Sequence, residues 1–331
     1  MPVLRPSGSD FTSFVKAAAQ YVPAGATAKA SKSGGVSVAL PGLGAVVRAS
    51  QIGALSSPTT SAVVINGVTA PIVPSGSSPA GAPMDPKTIA GIVLWLDGAD
   101  PAATGTIPSA GAAISTWVDK SGKGYNATLY GTTSPTYVAN KSLQFTGSSN
   151  TSLASPVPAQ TFSNGLSLFV VFVKTVGVNT YESLVSRSTN DPIPFDMWGV
   201  NRMWGSYGNY LSGTAPSIAS YTTQTVLSIT ISSTLNWSEN INGTNSVAYN
   251  TTNFNNGSNG TPAWNDTGTN IYIGSRGDSV TRFTGQISEI LAYSSVLSTP
   301  DRQKAEGYLA WKWGLQANLP AGHPYKSAAP V

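Results

Sequence analysis

Short runs of apolar residues, many of them alternating with polar ones, dominate the chain after residue 84. Examples are IVLWLDGAD, LSLFVVFV, TVLSITIS and FTGQISEILAYS, and Gly, Asn, Pro or Ser residues separate one run from the next. Short alternating or β-branched runs bounded by such turn residues predict β-strands. The number of these runs predicts a mostly β protein built as a two-sheet antiparallel sandwich.

The last part of the chain has a helical pattern instead. Leu309 and Trp313 recur at helical spacing, and Pro300 suits the first turn of a helix. Gly314 supplies a residue that accepts the left-handed conformation at a helix end. These signals predict a C-terminal helix over residues 300–313 that packs on the sandwich and closes it.

The first residues also predict a helix. Residues 9–22 place apolar side chains at helical spacing behind a serine cap. An isolated apolar stripe needs a partner, so we predict that it binds another protein through Phe11, Phe14, Val15 and Ala18.

The segment between this helix and the strands is rich in Ala, Gly, Ser and Pro, with only brief apolar patches. Such a composition is typical of an extended arm that lies on another protein. The predicted organisation is therefore a helix and anchoring arm over residues 1–84, followed by a sandwich with its C-terminal helix over residues 85–331.

Composition excludes several classes of protein. The chain has no cysteine, which excludes disulfides and thiolate metal sites. Its net charge of +4 comes from a few scattered cations among residues 1–84, too few for a nucleic-acid surface. The apolar runs are too short to span a bilayer and the N-terminus does not resemble a secretory signal, so we expect no membrane span and synthesis in a cytoplasm.

Four stretches of the sandwich region resemble the concanavalin A-like, or laminin-G-like, jelly-roll domains. They are IVLWLDGADP, STWVDKSGKGYNAT, NIYIGSRGDSVTRFTGQISEILAYSSVLS, and DRQKAEGYLAWKWGL with NLPAGHPY. The resemblance implies a jelly-roll sandwich followed by a helix. It does not imply one function, because lectins, adhesion modules, hydrolases and capsid-associated proteins share this fold.

The opening MPVLRPSGSDFTSFVKAAAQYV resembles the start of structural proteins of large icosahedral double-stranded DNA viruses. This resemblance implies a minor capsid or capsid-decorating protein of the virion, made in the host cytoplasm. The arm would then bind the major capsid protein and other minor capsid proteins between capsomers.

The alternative is a carbohydrate-binding, lectin-like or host-attachment module. The stretch WGVNRMWGSYGNY concentrates aromatic side chains that can stack on sugars, with amide groups beside them. The glycan-binding candidates are Trp198, Trp204, Tyr207 and Tyr210. The same rings could instead pack a strand edge against the other sheet.

Candidate catalytic residues are few, and we expect no enzyme. A glycosidase needs two carboxylates facing its substrate, whereas Glu289 stands alone among apolar neighbours in the last strand. His323 is the single histidine, which argues against a zinc site or a catalytic triad. We expect His323 to fasten the tail of the chain through a hydrogen bond.

Three aspartates are weak candidates for calcium, and no other cofactor is predicted. Asp97, Asp100 and Asp119 lie in or beside turns, where carboxylates and backbone carbonyls can bind this ion. Asp119 has an alternative interpretation, an Asx-type turn in which its carboxylate accepts backbone N–H groups.

Overall fold

A computed structural model describes residues 84–175, 182–187, 221–234, 236–249, 266, 268–277, 279 and 281–331, together with the backbone of short strands elsewhere. The chain divides into two compact units, Met1–Gly81 and Ala82–Val331. No helix within these ranges is both long enough and apolar enough to cross a bilayer.

Short antiparallel strands form in the first unit. One sheet contains β1 (Thr27–Ala30), β2 (Val36–Ala39) and β3 (Val46–Arg48), and a second pairs β4 (Ala62–Ile65) with β5 (Val68–Pro71). Strands β2 to β5 overlap the brief apolar patches of the predicted arm, which are rich in β-branched residues. The prediction of an extended arm did not include pairing between such strands. The predicted N-terminal helix, with Phe11, Phe14, Val15 and Ala18, lies outside the described residues.

The strands of the second unit are, in chain order, β6 (Ile92–Asp97), β7 (Thr116–Trp117), β8 (Ala127–Leu129), β9 (Thr136–Val138), β10 (Ser142–Phe145), β11 (Leu153–Ser155), β12 (Leu166–Lys174), β13 (Val185–Ser186), β14 (Asp196–Trp198), β15 (Arg202–Trp204), β16 (Asn209–Leu211), β17 (Thr225–Ile231), β18 (Trp237–Ile241), β19 (Thr244–Tyr249), β20 (Phe254–Asn256), β21 (Ile271–Ile273) and β22 (Gly285–Tyr293). One α-helix, α1 (Thr299–Lys312), follows them in the described part of the chain. Short 3₁₀ turns occur at Pro86–Thr88, Gly147–Ser149 and Gln316–Asn318.

The described strands of the second unit form two antiparallel sheets. The eight-stranded sheet has the order β19-β18-β17-β12-β22, after which β10 and β6 share the other edge of β22 and β9 follows β10. The nine-stranded sheet has the order β20-β16-β15-β14-β13-β21-β11-β8-β7. This arrangement confirms the predicted mostly β fold with two antiparallel sheets and a C-terminal helix.

The sandwich core lies between the two sheets. Leu168, Val170 and Phe172 of β12 point into it, whereas the alternate residues Phe169 and Val171 belong to a second apolar cluster on the opposite face of the same sheet. Strand β12 is therefore buried on both faces, which explains why LSLFVVFV is apolar at every position except Ser167.

Helix α1 covers that second cluster. Its residues Ala305, Tyr308 and Leu309 pack there with Leu291 and Tyr293 of β22. The predicted range 300–313 agrees with the observed helix to within one residue at each end. The hydroxyl of the cap residue accepts the N–H of the third helical residue, and the glycine after the helix has a φ of 71°, as its predicted role requires.

Candidate functional site

The nine-stranded sheet has one face toward the sandwich core and one face away from it, here called the outer face. Leu153, Val185 and Ile273 belong to the core cluster. Because side chains alternate along a strand, their neighbours Ser186 and Tyr272 belong to the outer face. This face is distinct from the face of the other sheet that α1 covers.

An exposed aromatic ring stands on the outer face. Tyr130 directly follows β8, and 40% of its surface is exposed. Its ring centroid lies 4.8 Å from that of Tyr272, with an angle of 59° between the planes. Its hydroxyl donates a hydrogen bond to the carbonyl oxygen of Gly277. Tyr130 is therefore a partly exposed aromatic residue that Tyr272 and the Gly277 carbonyl hold in place.

Two polar residues belong to the same part of the outer face. Thr128 is exposed and is the register partner of Ala154, which in turn pairs with Tyr272. The Asn270 side-chain amide lies 3.4 Å from the Tyr272 hydroxyl. An aromatic ring with hydroxyl and amide groups beside it is the combination that binds sugars, because the ring stacks on C–H groups and the polar groups bind hydroxyls.

The strand register places the predicted aromatic residues in one row with this cluster. Across the sheet, consecutive register partners are Tyr272, Ser186, Asp196, Trp204, Tyr210 and Asn255. Trp204 and Tyr210 are thus direct partners on β15 and β16. Two of the four predicted glycan-binding residues are brought together by the fold.

The other two candidates are placed differently. Trp198 is on β14 opposite Arg202, in the row next to that of Trp204. Tyr207 lies outside the described residues. Tyr130 and Tyr272 were not among the residues predicted from the sequence to bind sugar. A signal was available in NATLY, where the tyrosine stands at the end of a strand just before a turn.

A pair of carboxylates lies on the helix side of the eight-stranded sheet. Asp97 of β6 and Glu289 of β22 are direct register partners, although they are far apart in sequence. The apolar neighbours of Glu289 in the sequence had indicated that it stands alone. The structure instead pairs it with Asp97. The β-bulge at Ser288 places Glu289 on the same face as α1, where Tyr308 of the helix and Trp313 directly after it reach it.

Glu289 is completely buried, and four donors satisfy its carboxylate. Oε1 accepts hydrogen bonds from Trp95 Nε1 at 2.8 Å and from the Tyr308 hydroxyl at 2.9 Å. Oε2 accepts from Trp313 Nε1 at 2.6 Å and lies 2.8 Å from Lys312 Nζ. Three of these donors belong to α1 or the residue after it, so this carboxylate fastens the helix to the sheet.

Asp97 extends the same ion network. Its Oδ1 lies 2.7 Å from Lys312 Nζ, and its Oδ2 lies 3.0 Å from Lys120 Nζ. Burial raises the pKa of Asp97, but the nearby ammonium groups of Lys312 and Lys120 outweigh that effect and hold the pKa below its ordinary value. Burial raises the pKa of Glu289, and Lys312 only partly opposes this shift.

We expect the Asp97 interactions to give stability that is lost in acid. Because the pKa of Asp97 is lowered in the folded protein, this stability is present above the ordinary value of 3.8 and disappears as the pH falls through the folded value. Asp97→Asn should lower the free energy of unfolding by about 1.5–3 kcal/mol near pH 6. Urea denaturation from pH 6 to pH 2.5 tests this, and a difference between variant and wild type that stays constant below pH 3.8 would contradict it.

The network also limits what these carboxylates can do chemically. A general acid or base needs an oxygen atom within reach of a substrate, whereas both oxygens of Glu289 already accept hydrogen bonds inside the protein. The pair has the contacts of a structural clasp between β6, β22 and α1.

The calcium candidates already have protein partners. Lys120 Nζ lies 3.0 Å from Asp97 and 3.3 Å from Asp100, so an ammonium group joins these two carboxylates. Asp119 accepts the N–H groups of Trp95, Ser121 and Tyr125. These contacts match the alternative interpretation of Asp119 as an Asx-type turn. Over the described ranges, no group of three or more His, Asp or Glu residues is placed to hold a metal ion.

His323 is buried near the end of the chain. Its Nε2 lies 3.3 Å from Glu306 Oε2 of α1, and its Nδ1 accepts the N–H of Tyr325. The expected hydrogen bond that fastens the tail is therefore present, and it joins the tail to α1.

Comparison with known proteins gives distant structural likeness only. No protein-family model matches the chain, and no curated protein sequence matches it. Among solved structures, the binding domain of botulinum neurotoxin DC in complex with rat synaptotagmin II is 12% identical with a TM-score of 0.44, over 66% of this chain and 52% of that one.

Two further structures are similar at the same level. Domain 4 of an extracellular GH43 arabinanase from Geobacillus stearothermophilus, in complex with arabinotriose, is 13% identical with a TM-score of 0.45, over 64% of this chain and 96% of that one. Trypanosoma rangeli sialidase in complex with sialic acid is 17% identical with a TM-score of 0.44, over 73% of this chain and 35% of that one. The chain thus spans about half of the neurotoxin domain and a third of the sialidase. Such distant likeness assigns no function.

Proposed function

We propose that this protein is a carbohydrate-binding β-sandwich that holds sugar on the outer face of its nine-stranded sheet and does not hydrolyse it. The observation that carries the proposal is the exposed ring of Tyr130, which Tyr272 and the Gly277 carbonyl hold in place. A ring that is already fixed loses little conformational entropy when a ligand stacks on it.

The surroundings of Tyr130 support a sugar rather than a purely apolar ligand. Thr128 is exposed beside it, and the Asn270 amide lies close to the supporting tyrosine. A pyranose or furanose ring needs such hydroxyl and amide partners, because it presents hydroxyl groups around an apolar face. An apolar peptide or lipid would offer the Thr128 hydroxyl no hydrogen-bonding group.

The row of register partners continues from β21 into the strands that contain two of the predicted glycan-binding residues. Trp204 and Tyr210 lie opposite each other on β15 and β16, and Asp196 is the other partner of Trp204. On this backbone register alone, we propose that Trp204 and Tyr210 also take part in sugar binding.

The absence of hydrolysis is part of the proposal, and the clasp on the helix side supports it. Asp97 and Glu289 are the carboxylate pair that the fold brings into register, and lysine and tryptophan donors occupy them. Hydrolysis would require a carboxylate oxygen that reaches the glycosidic bond.

The virion role predicted from the N-terminal motif depends on residues 1–22, which lie outside the described residues. It stays a prediction, as do the capsid partners and the virion location that it implies. A sugar-binding sandwich is compatible with it, because a particle that recognises glycans can use them to attach to its host.

Glycan binding by the full chain tests the proposal. We expect binding to a subset of an immobilised glycan panel, and we expect Tyr130→Ala and Trp204→Ala each to weaken it about tenfold, the loss of roughly one stacking contact. Tyr130→Phe keeps the ring and should retain most of the affinity. Ile107→Ala changes an exposed apolar residue elsewhere and serves as the control.

Two results would contradict the proposal. One is no binding to any glycan of the panel by the folded wild-type chain. The other is binding that Tyr130→Ala and Trp204→Ala leave unchanged. Release of reducing sugar from a bound glycan would contradict the non-hydrolytic part alone.

A further inference from the structure

We infer that Lys312 and Asp97 condense into an isopeptide bond, with Glu289 as the catalytic carboxylate that relays the protons. This inference goes beyond the proposed sugar binding and concerns the other sheet. The bond would join the last residue of α1 covalently to the last residue of β6, although the two are far apart in the sequence.

The three side chains are in direct contact. Lys312 Nζ lies 2.7 Å from Asp97 Oδ1 and 2.8 Å from Glu289 Oε2, so one amine touches both carboxylates. Asp97 and Glu289 are register partners, which fixes both groups on one face of the sheet. The amine is therefore held beside the carboxyl carbon that it must attack, and the reaction needs little reorganisation.

The surroundings of these groups exclude most water. Three aromatic ring centroids lie 5.4 to 5.9 Å from Lys312 Nζ, those of Trp95, Tyr308 and Trp313. Glu289 is completely buried, and the side chain of Asp97 is only 6% exposed. Little water can therefore reach the new amide to hydrolyse it.

The condensation requires no other reactant. Glu289 takes a proton from Lys312 Nζ, whose lone pair then attacks the carboxyl carbon of Asp97. Burial raises the pKa of Glu289, which makes it a better acceptor for this proton. Lys120 Nζ, 3.0 Å from Asp97 Oδ2, stabilises the negative charge that grows on that oxygen.

Atoms and charges balance in this step. The bond between the carboxyl carbon and Oδ1 of Asp97 breaks, and Oδ1 leaves as water with two of the three protons of the Lys312 ammonium group. The third proton stays on the amide nitrogen. Glu289 passes on the proton that it received and ends unchanged.

Two features slow the reaction. The pKa of Asp97 is held below its ordinary value, so its carboxyl group is ionised until a proton reaches it in the reaction itself. The side chain of Lys312 is 21% exposed, so water still reaches the amine. We therefore expect the bond to accumulate after folding. The stability expected for the ion pairs of Asp97 and Glu289 describes chains in which the bond has not yet formed.

A second buried pair of lysine and carboxylate provides an internal comparison. Lys174 Nζ lies 2.6 Å from Glu182 Oε1, and the two side chains are 3% and 1% exposed. In the described part of the chain, the hydrogen bonds of this pair involve no further carboxylate. We expect no isopeptide bond there, because no third group relays the protons.

The intact mass of the full chain, followed from purification through a week at pH 7, tests the inference. We expect a growing fraction that is lighter by one water molecule. Trypsin should then release a branched peptide of residues 88–120 and 305–326, joined through Asp97 and Lys312. Lys312→Arg keeps the positive charge without the nucleophilic amine, so it should keep its full mass. Glu289→Gln should form the bond about a hundredfold more slowly.

A wild-type chain that keeps its full mass for the whole week would overturn the inference, whatever the variants do. So would a loss of water that maps to Lys174 and Glu182, or to any pair other than Lys312 and Asp97. A bond that forms as fast in the folded Glu289→Gln variant would contradict the catalytic role of Glu289. None of these results bears on the proposed sugar binding.

Discussion

Replacing Glu289 with glutamine should lower the free energy of unfolding by about 3–5 kcal/mol, which is the usual cost of breaking a buried ion pair from one side. Glutamine has nearly the same shape but only one acceptor oxygen. Its NH₂ group would face two of the donors that now bind Glu289, and Lys312 would lose a charged partner inside the protein. Helix α1 would then lose its main polar attachment to the sheet.

Chemical denaturation at pH 7, followed by circular dichroism, measures this effect. The matched control is Lys87→Ala, which removes an ion pair with Asp85 whose two side chains are 47% and 45% exposed. An exposed pair contributes only about 0–1 kcal/mol, so the control should stay close to the wild type. Equal effects of the two substitutions would show that the Glu289 network does not hold the helix.

Replacing Asp266 with asparagine is the second substitution with a large expected effect, again about 3–5 kcal/mol. Arg187 and Asp266 form a fully buried bidentate pair, with Nε 2.5 Å from Oδ1 and an Nη 3.1 Å from Oδ2. The same guanidinium donates to the carbonyl oxygens of Pro158 and Gly268. Asparagine would leave this guanidinium without its counter-charge.

Arg187→Lys separates charge from geometry at this pair. Lysine keeps the positive charge but cannot donate in the forked arrangement, so it should also destabilise the protein by several kcal/mol, of the same order as Asp266→Asn. Denaturation curves of both single variants and of the double variant give the coupling energy between the two residues. A coupling energy near zero would contradict the assignment of this pair as a clasp.

The parts of the fold that depend on local pattern could be predicted from the sequence. Pro300 and Gly314 marked the ends of α1 to within one residue, because caps act through neighbouring backbone groups. The run LSLFVVFV indicated a strand, and the structure shows that both its faces are buried. These features require no knowledge of which strand pairs with which.

The parts that depend on register could not be predicted. Glu289 faces Asp97 only because β6 and β22 pair with one particular alignment, and a shift of one residue would send either side chain to the other face. Tyr130 rests on Tyr272 because β8, β11 and β21 are neighbours in the sheet. Composition and periodicity do not contain these pairings.

The two sheets differ in what covers them, and this difference supports the proposed site. The eight-stranded sheet packs on the core with one face and on α1 with the other. On the nine-stranded sheet, Thr116, Thr128 and Tyr130 are exposed. The described surface therefore offers an accessible aromatic residue on the sheet that the helix does not cover.

A crystal structure of the full chain with its highest-affinity glycan tests the central claim most directly. We expect a sugar ring stacked on Tyr130. A glycan bound on the helix side of the eight-stranded sheet, or at any surface away from Tyr130, would contradict the account.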